Sequence, residues 1–120
     1  MATKTPWTID VYETEKGEKP AWAFIQALEG RHKTEAIALV KLLEEQGNLL
    51  RRPHSGTLGE GLFELRGKQV RIFYTFLPKR AIVLLDGMIK KQNAIPAKVL
   101  DRMRTYQKAV AQRGQGRRRK

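Results

Sequence analysis

Four cations in two short runs define what chemistry this sequence could do: Arg66 and Arg71 in FELRGKQVRIFY, and Lys90 and Lys91 in DGMIKK. A guanidinium is a planar fork of N–H donors that meets phosphate oxygens two at a time, whereas an ammonium is a compact point charge. Two arginines beside a lysine pair therefore suit holding a phosphodiester and neutralising charge that develops on it. Either lysine could also carry a proton if the neighbouring cations depress its pKa. Glu64 and Asp86 are the carboxylates expected on the same surface. Each could serve as a general base and, more simply, each could orient Arg71 as an ion-pair partner.

Other chemistries are closed by composition. The chain contains no cysteine and two histidines, His32 and His54, which rules out disulfides, thiolate nucleophiles and an ordinary zinc site. No metal or cofactor is expected. No apolar stretch approaches the roughly 20 residues of a membrane span, and the opening MATKTPWTID lacks the apolar core of a secretory signal. A cytoplasmic protein without a membrane partner is the expectation.

Charge adds a direction. Lys and Arg number 24 against 12 acids, for a net +12. From Met88 onward stand eleven basic residues against the single acid Asp101. Such asymmetry is the footprint of a polyanion binder. Arg51, Arg52 and His54 on a polar loop, Lys68 at a turn, and Lys98 and Arg102 on the last helix supply further candidate anion contacts.

These residues need a scaffold, and 120 residues with 41% hydrophobic content suit one domain. Residues 1–112 are expected to form it and 113–120 a basic disordered tail. Trp7–Tyr12 alternates as a first strand. Pro20 opens a helix whose Ala21, Phe24, Ile25 and Leu28 share one stripe, with Gly30 as its C-cap. A second helix spans about Lys33 to Gln46 and stops at Gly47. Asn48–Gly61 reads as a loop, followed by strands Leu62–Arg66, Gln69–Phe76 and Arg80–Lys91 and a helix started by Pro96. Trp7 and Trp22 read as core anchors. The whole is α+β: a compact antiparallel sheet of about four strands, two N-terminal helices on one face, and a C-terminal helix.

Turn geometry decides which side chains share a face. With Gly67-Lys68 as a two-residue turn, Leu65 pairs with Val70 and Glu64 with Arg71. Phe63, Leu65, Val70, Ile72, Tyr74 and Phe76 then face the helices, while Glu64, Arg66, Gln69 and Arg71 face away. Pairing Phe76 with Ala81 sets Asp86 opposite Arg71, and puts Ile82, Leu84, Asp86, Met88 and Lys90 on the arginine face. A one-residue slip in either turn would undo this.

The segment 58–96, with its pieces GLFELR, VRIFYTF, IVLLDG and IKK before a proline-started helix, resembles the RelE/HigB/ParE toxin superfamily. The likeness is to its phage-derived HigB-like branch of type II toxin–antitoxin systems, and it spans about residues 7–110. It implies a ribosome-dependent endoribonuclease that cleaves mRNA and inhibits translation, silenced by a cognate helix-turn-helix antitoxin. It further implies that Arg66, Arg71, Lys90 and Lys91 are catalytic and that Arg51, Arg52, His54, Lys68, Lys98 and Arg102 bind RNA. Relatives of this type often carry histidine where Asp86 stands and an aromatic where Met88 stands. A ParE-like DNA gyrase inhibitor and a non-catalytic nucleic-acid-binding regulatory module are the alternatives, with an acidic membrane surface the weakest.

Overall fold

The computed structural model describes residues 7–91 and 94–117, with side chains as far as Arg113. In chain order the elements are β1 (Thr8–Val11), α1 (Pro20–Ala27), α2 (Gly30–Gln46), a short 3-10 turn (Gly47–Leu49), β2 (Ser55–Gly59), β3 (Leu62–Arg66), β4 (Val70–Leu77), β5 (Ala81–Ile89) and α3 (Ala97–Arg117). The sheet order is β1-β5-β4-β3-β2.

Among the described residues the fold is thus α+β with five strands and three helices, one strand more than expected. The added strand, β2, lies inside the stretch expected to be a loop. Its sequence SGTLG has two glycines and little apolar alternation, so nothing local marks it. Pairing with β3 creates it, from Ser55↔Leu65 to Gly59↔Leu62. The sheet is also not wholly antiparallel, because β1 lies parallel to β5, with Thr8 opposite Ala81 and Val11 opposite Leu84.

The helix boundaries shift at one glycine. Gly30, expected to cap α1, is instead the first residue of α2, and Leu28 caps α1. Gly47 ends α2 at φ +54°, where an L-residue is strained, and a Cβ there would overlap the Trp7 indole. Both requirements select glycine. Trp7 itself packs edge-on to Phe76 and lies under the Arg80 guanidinium. Trp22, expected in the core, is 53% exposed on α1.

Two cores form, one on each face of the sheet. Under α1 and α2 lie Leu65, Val70, Ile72, Tyr74, Ile82 and Leu84 with Ile25, Leu39 and Leu43. On the other face Leu62, Phe73, Val83, Leu85 and Tyr12 pack against Met103 and Val110 of α3. Among the described residues, helices therefore lie on both sides, and the face carrying the arginines is open toward the end where Arg66 reaches solvent. α3 is fastened by Arg104, which donates to the Leu58 and Gly59 carbonyls at 2.8 and 2.9 Å. Arg113, expected to begin a disordered tail, continues the helix, stacks on Tyr12 and donates to the Glu13 carbonyl. Residues 118–120 of that expected tail lie outside the described residues.

Candidate functional site

The β3–β4 register places the arginines. Arg66 stands directly opposite Arg71, Leu65 opposite Ile72 and Glu64 opposite Phe73. The loop residues are therefore Lys68-Gln69, one step later than expected, and every β4 partner moves by two positions. A shift of two preserves face, so Glu64, Arg66 and Arg71 remain on one surface. Had it been one, the cations would point into the core.

The second hairpin differs in a compensating way. Leu77 pairs with Ala81 around Pro78, Lys79 and Arg80, with Lys79 and Arg80 at positive φ. That loop is one residue shorter than expected, and it turns Ile82 and Leu84 into the helix-side core rather than onto the arginine face. A bulge then leaves Leu85 without a direct partner, and the phase recovers: Asp86 pairs with Phe73 and Met88 with Arg71. Asp86 is therefore one row away from its expected place opposite Arg71. Its carboxylate instead meets Arg102 of α3 at 3.3 Å and accepts from the Gly87 N–H.

Two adjacent rows make up the site. One runs Gly56, Glu64, Phe73, Asp86, and the next runs Arg66, Arg71, Met88 toward the open end. Glu64 is bracketed by guanidinia: its Oε2 lies 3.7 Å from Arg66 Nε and its Oε1 3.6 Å from Arg71 Nε. The two arginines differ sharply in access. Arg71 has 8% of its side chain exposed and Arg66 36%. Arg71 Nη1 donates to the carbonyls of Gly67, at 2.7 Å, and Val70, at 3.0 Å. Arg71 thus ties the turn to β4, and Arg66 is the arginine of this pair presented to solvent.

The remaining cations fall into three groups. Lys90 follows β5 at the open end, its N–H donating to the Gln69 carbonyl, and Lys91 is exposed beside it. Lys68 is exposed at the turn, and the His54 carbonyl accepts the Arg66 N–H at 2.9 Å, which brings the Arg51–His54 loop alongside. Lys98 and Arg102 sit a turn apart on α3, with Arg102 engaged by Asp86. The open end therefore collects Arg66, Lys68, Lys90, Lys91 and the backbone of His54, while Lys98 and Arg102 stand back on the covering helix.

A support for this end was not visible in the sequence. Glu35 of α2 accepts the Lys68 N–H at 2.9 Å, and its carboxylate occupies the space a Cβ of Gly67 would need. His32 meets the Gln69 side chain at 3.3 Å. A cavity of about 400 Å³ lies here, walled by Glu29, Arg31, His32, Glu35, Lys68 and Gln69. Its walls carry both signs of charge, so it does not extend the arginine row, and the contacts of Glu35 and His32 are what hold the turn. A glycine after an arginine marked the turn, but nothing marked which helix residue would lean on it.

Fold and site together describe a small basic α+β protein with Arg66, Lys68, Lys90 and Lys91 collected at one end of its sheet. A family model described as phage-derived protein Gp49-like (DUF891) matches residues 23–108. The chain belongs to that Gp49-like family. Among solved structures it is similar to a chain of the toxin–antitoxin complex RelBE2 from Mycobacterium tuberculosis, with 21% identity and a TM-score of 0.44, covering 72% of this chain and 100% of that one. No curated protein matches the sequence.

Proposed function

We propose that this protein is the toxin of a type II toxin–antitoxin system and cleaves messenger RNA on the ribosome. The observation that carries the reading is the row at the open sheet end: half-buried Arg66 opposite buried Arg71, with the Lys90 N–H held to the Gln69 carbonyl at the same end. The family supports it, because the phage-derived Gp49-like match spans 23–108 and contains every motif by which the sequence resembles such toxins.

The chemistry follows from what each group can do. Cleavage requires the ribose 2′-oxygen to attack the adjacent phosphorus, lose its proton and expel the 5′-oxygen, which must gain one. The products are a 2′,3′-cyclic phosphate and a 5′-hydroxyl. Arg66 neutralises the charge on the phosphorane oxygens, where a preorganised donor is worth the most. Lys90 and Lys91 hold the scissile phosphate, and the Glu64 carboxylate keeps the Arg66 fork aimed. A cognate antitoxin with an acidic segment would cover this cationic end.

A second reading draws on the inward commitment of Arg71: a face that holds nucleic acid without cutting it. Expression of wild type and Arg66→Gln in cells separates the two. The expected outcome is growth arrest with cleaved transcripts for wild type and growth with intact transcripts for the variant. Equal arrest with intact RNA would refute cleavage, and trapped gyrase–DNA complexes in those cells would indicate a gyrase poison.

A further inference from the structure

Beyond the arginine row, at the edge strand β2, lies a cavity of about 300 Å³ lined by Leu50, Arg51, Arg52, Ser55, Gly56, Thr57 and Phe63. Its composition is divided. Leu50 is buried and Phe63 half-buried, giving an apolar and aromatic floor, while Arg51 and Arg52 are exposed at the rim. Phe63 is held rigidly by Tyr74, stacked at 5.5 Å, and by Phe76, edge-on at 5.2 Å. Arg51 is steadied by a 2.9 Å bond from Nη1 to the Asn48 carbonyl. The Thr57 hydroxyl accepts from the Gly59 N–H and keeps its own proton to donate.

Gly56 connects this cavity to the arginine row. It lines the cavity, and a Cβ built on it would stand 3.5 Å from Arg66 Cδ and 3.6 Å from Arg66 Nη1. With no side chain there, only the backbone of one edge strand separates the cavity from Arg66. The loop leading into β2 is tied to the same residue through the His54 carbonyl.

We infer that this cavity is a binding site for one unpaired nucleotide of single-stranded RNA. The base lies on Phe63 and Leu50, the adjoining phosphate meets Arg51 and Arg52, and the strand crosses the β2 edge to set the next phosphate at Arg66. Stacking on an aromatic face beside a cationic track is how single strands are held without sequence readout. A paired base cannot leave its stack to enter without the cost of unpairing, so the cavity selects single strands over duplex. An acidic peptide would use the rim but has no use for the aromatic floor. The inference rests on the reading that RNA is the substrate, and adds where the strand lies and why it must be unpaired.

The test uses the full chain and a fluorescent oligoribonucleotide of about ten nucleotides, with 2-aminopurine at successive positions. Wild type should bind the single strand at least tenfold more tightly than the same sequence in a duplex, and should quench 2-aminopurine at one position. Arg51→Gln/Arg52→Gln should weaken binding about tenfold and reduce the slope of log Kd against log salt by about 0.7, for the one phosphate the two arginines share. Phe63→Leu keeps an apolar filler and should abolish the quenching while the circular dichroism spectrum is unchanged. An unaltered slope in the arginine variant, or quenching that survives Phe63→Leu, would overturn the site. So would competition by an acidic peptide with no RNA binding. If the cavity binds single strands but wild type cuts no RNA, the proposed function fails and the site stands. If cutting depends on Arg66 and is indifferent to the cavity variants, the site fails and the function stands.

Discussion

At the scale of single residues, Arg66 and Arg71 share a residue type and a face, yet do different work. Glu64 and Arg71 are both 7% exposed, and Glu64 Oε1 and Arg71 Nε face each other at 3.6 Å without a hydrogen bond. Removing one partner strands a buried charge, which costs about 3–5 kcal/mol. Glu64→Ala should therefore lower the urea unfolding free energy by about that amount, and a loss under ~1 kcal/mol would show the pair to be better hydrated than its burial indicates. Arg66→Gln should cost less than ~1 kcal/mol, because the Arg66 side chain is 36% exposed, its charge is screened by solvent, and Glu64 keeps Arg71 as a partner. This asymmetry makes Arg66 the better probe of function, since an Arg71 variant mixes lost folding with lost chemistry. The sequence showed that both arginines leave the core, through the period-2 pattern around them. It could not show that one guanidinium turns back to its own hairpin, because that depends on the carbonyls of a turn displaced by one residue.

Among the elements, the two N-terminal helices, β3, β4 and β5 were legible because each carries its own periodicity and its own stop signal. β2 was not, since Ser55–Gly59 becomes a strand only by borrowing the edge of β3. The seat of α3 was hidden for a related reason. Val99, Met103, Tyr106 and Val110 mark an apolar stripe, but the surface it covers consists of Leu62, Phe73, Val83 and Leu85, assembled from three strands and a bulge. Register errors of two and of one in the hairpins changed partners; the first spared the arginine face, and the Leu85 bulge repaired the second at Asp86. The junction of α2 with β1 gives a direct test. Gly47→Ala must accept φ +54° and displace the Trp7 indole, so it should destabilise by more than about 1 kcal/mol and alter Trp7 fluorescence. A neutral change with unaltered emission would show that β1 can leave the sheet edge freely.

For the whole molecule, the two-sided packing has a consequence at high pH. Burial raises the pKa of Tyr74 above 10.0, opposed by its hydrogen bond with Ser55, and burial likewise raises Tyr106, opposed chiefly by Arg102. A phenol whose folded pKa is raised adds stability that is complete below pH 10 and is lost as pH climbs through the folded value. Melting temperature should therefore be insensitive to these groups at neutral pH and fall above pH 10. Tyr74→Phe should flatten that alkaline fall while costing the Ser55 bond at all pH values, and an unchanged alkaline slope would show that Tyr74 ionisation does not drive the fall. The molecule also carries its +12 unevenly across the open sheet end, the β2 edge and α3, so association with RNA should weaken steeply with salt.

Cutting of RNA at the open end of the sheet can be assayed with purified protein and mRNA-programmed ribosomes. Transcripts ending in a 2′,3′-cyclic phosphate should form on ribosomes, about 10²–10³-fold more slowly with Arg66→Gln, as for loss of one preorganised donor to the transition state. Intact mRNA on ribosomes saturated with folded wild-type protein, or cleavage at the same rate by Arg66→Gln, would contradict cleavage there.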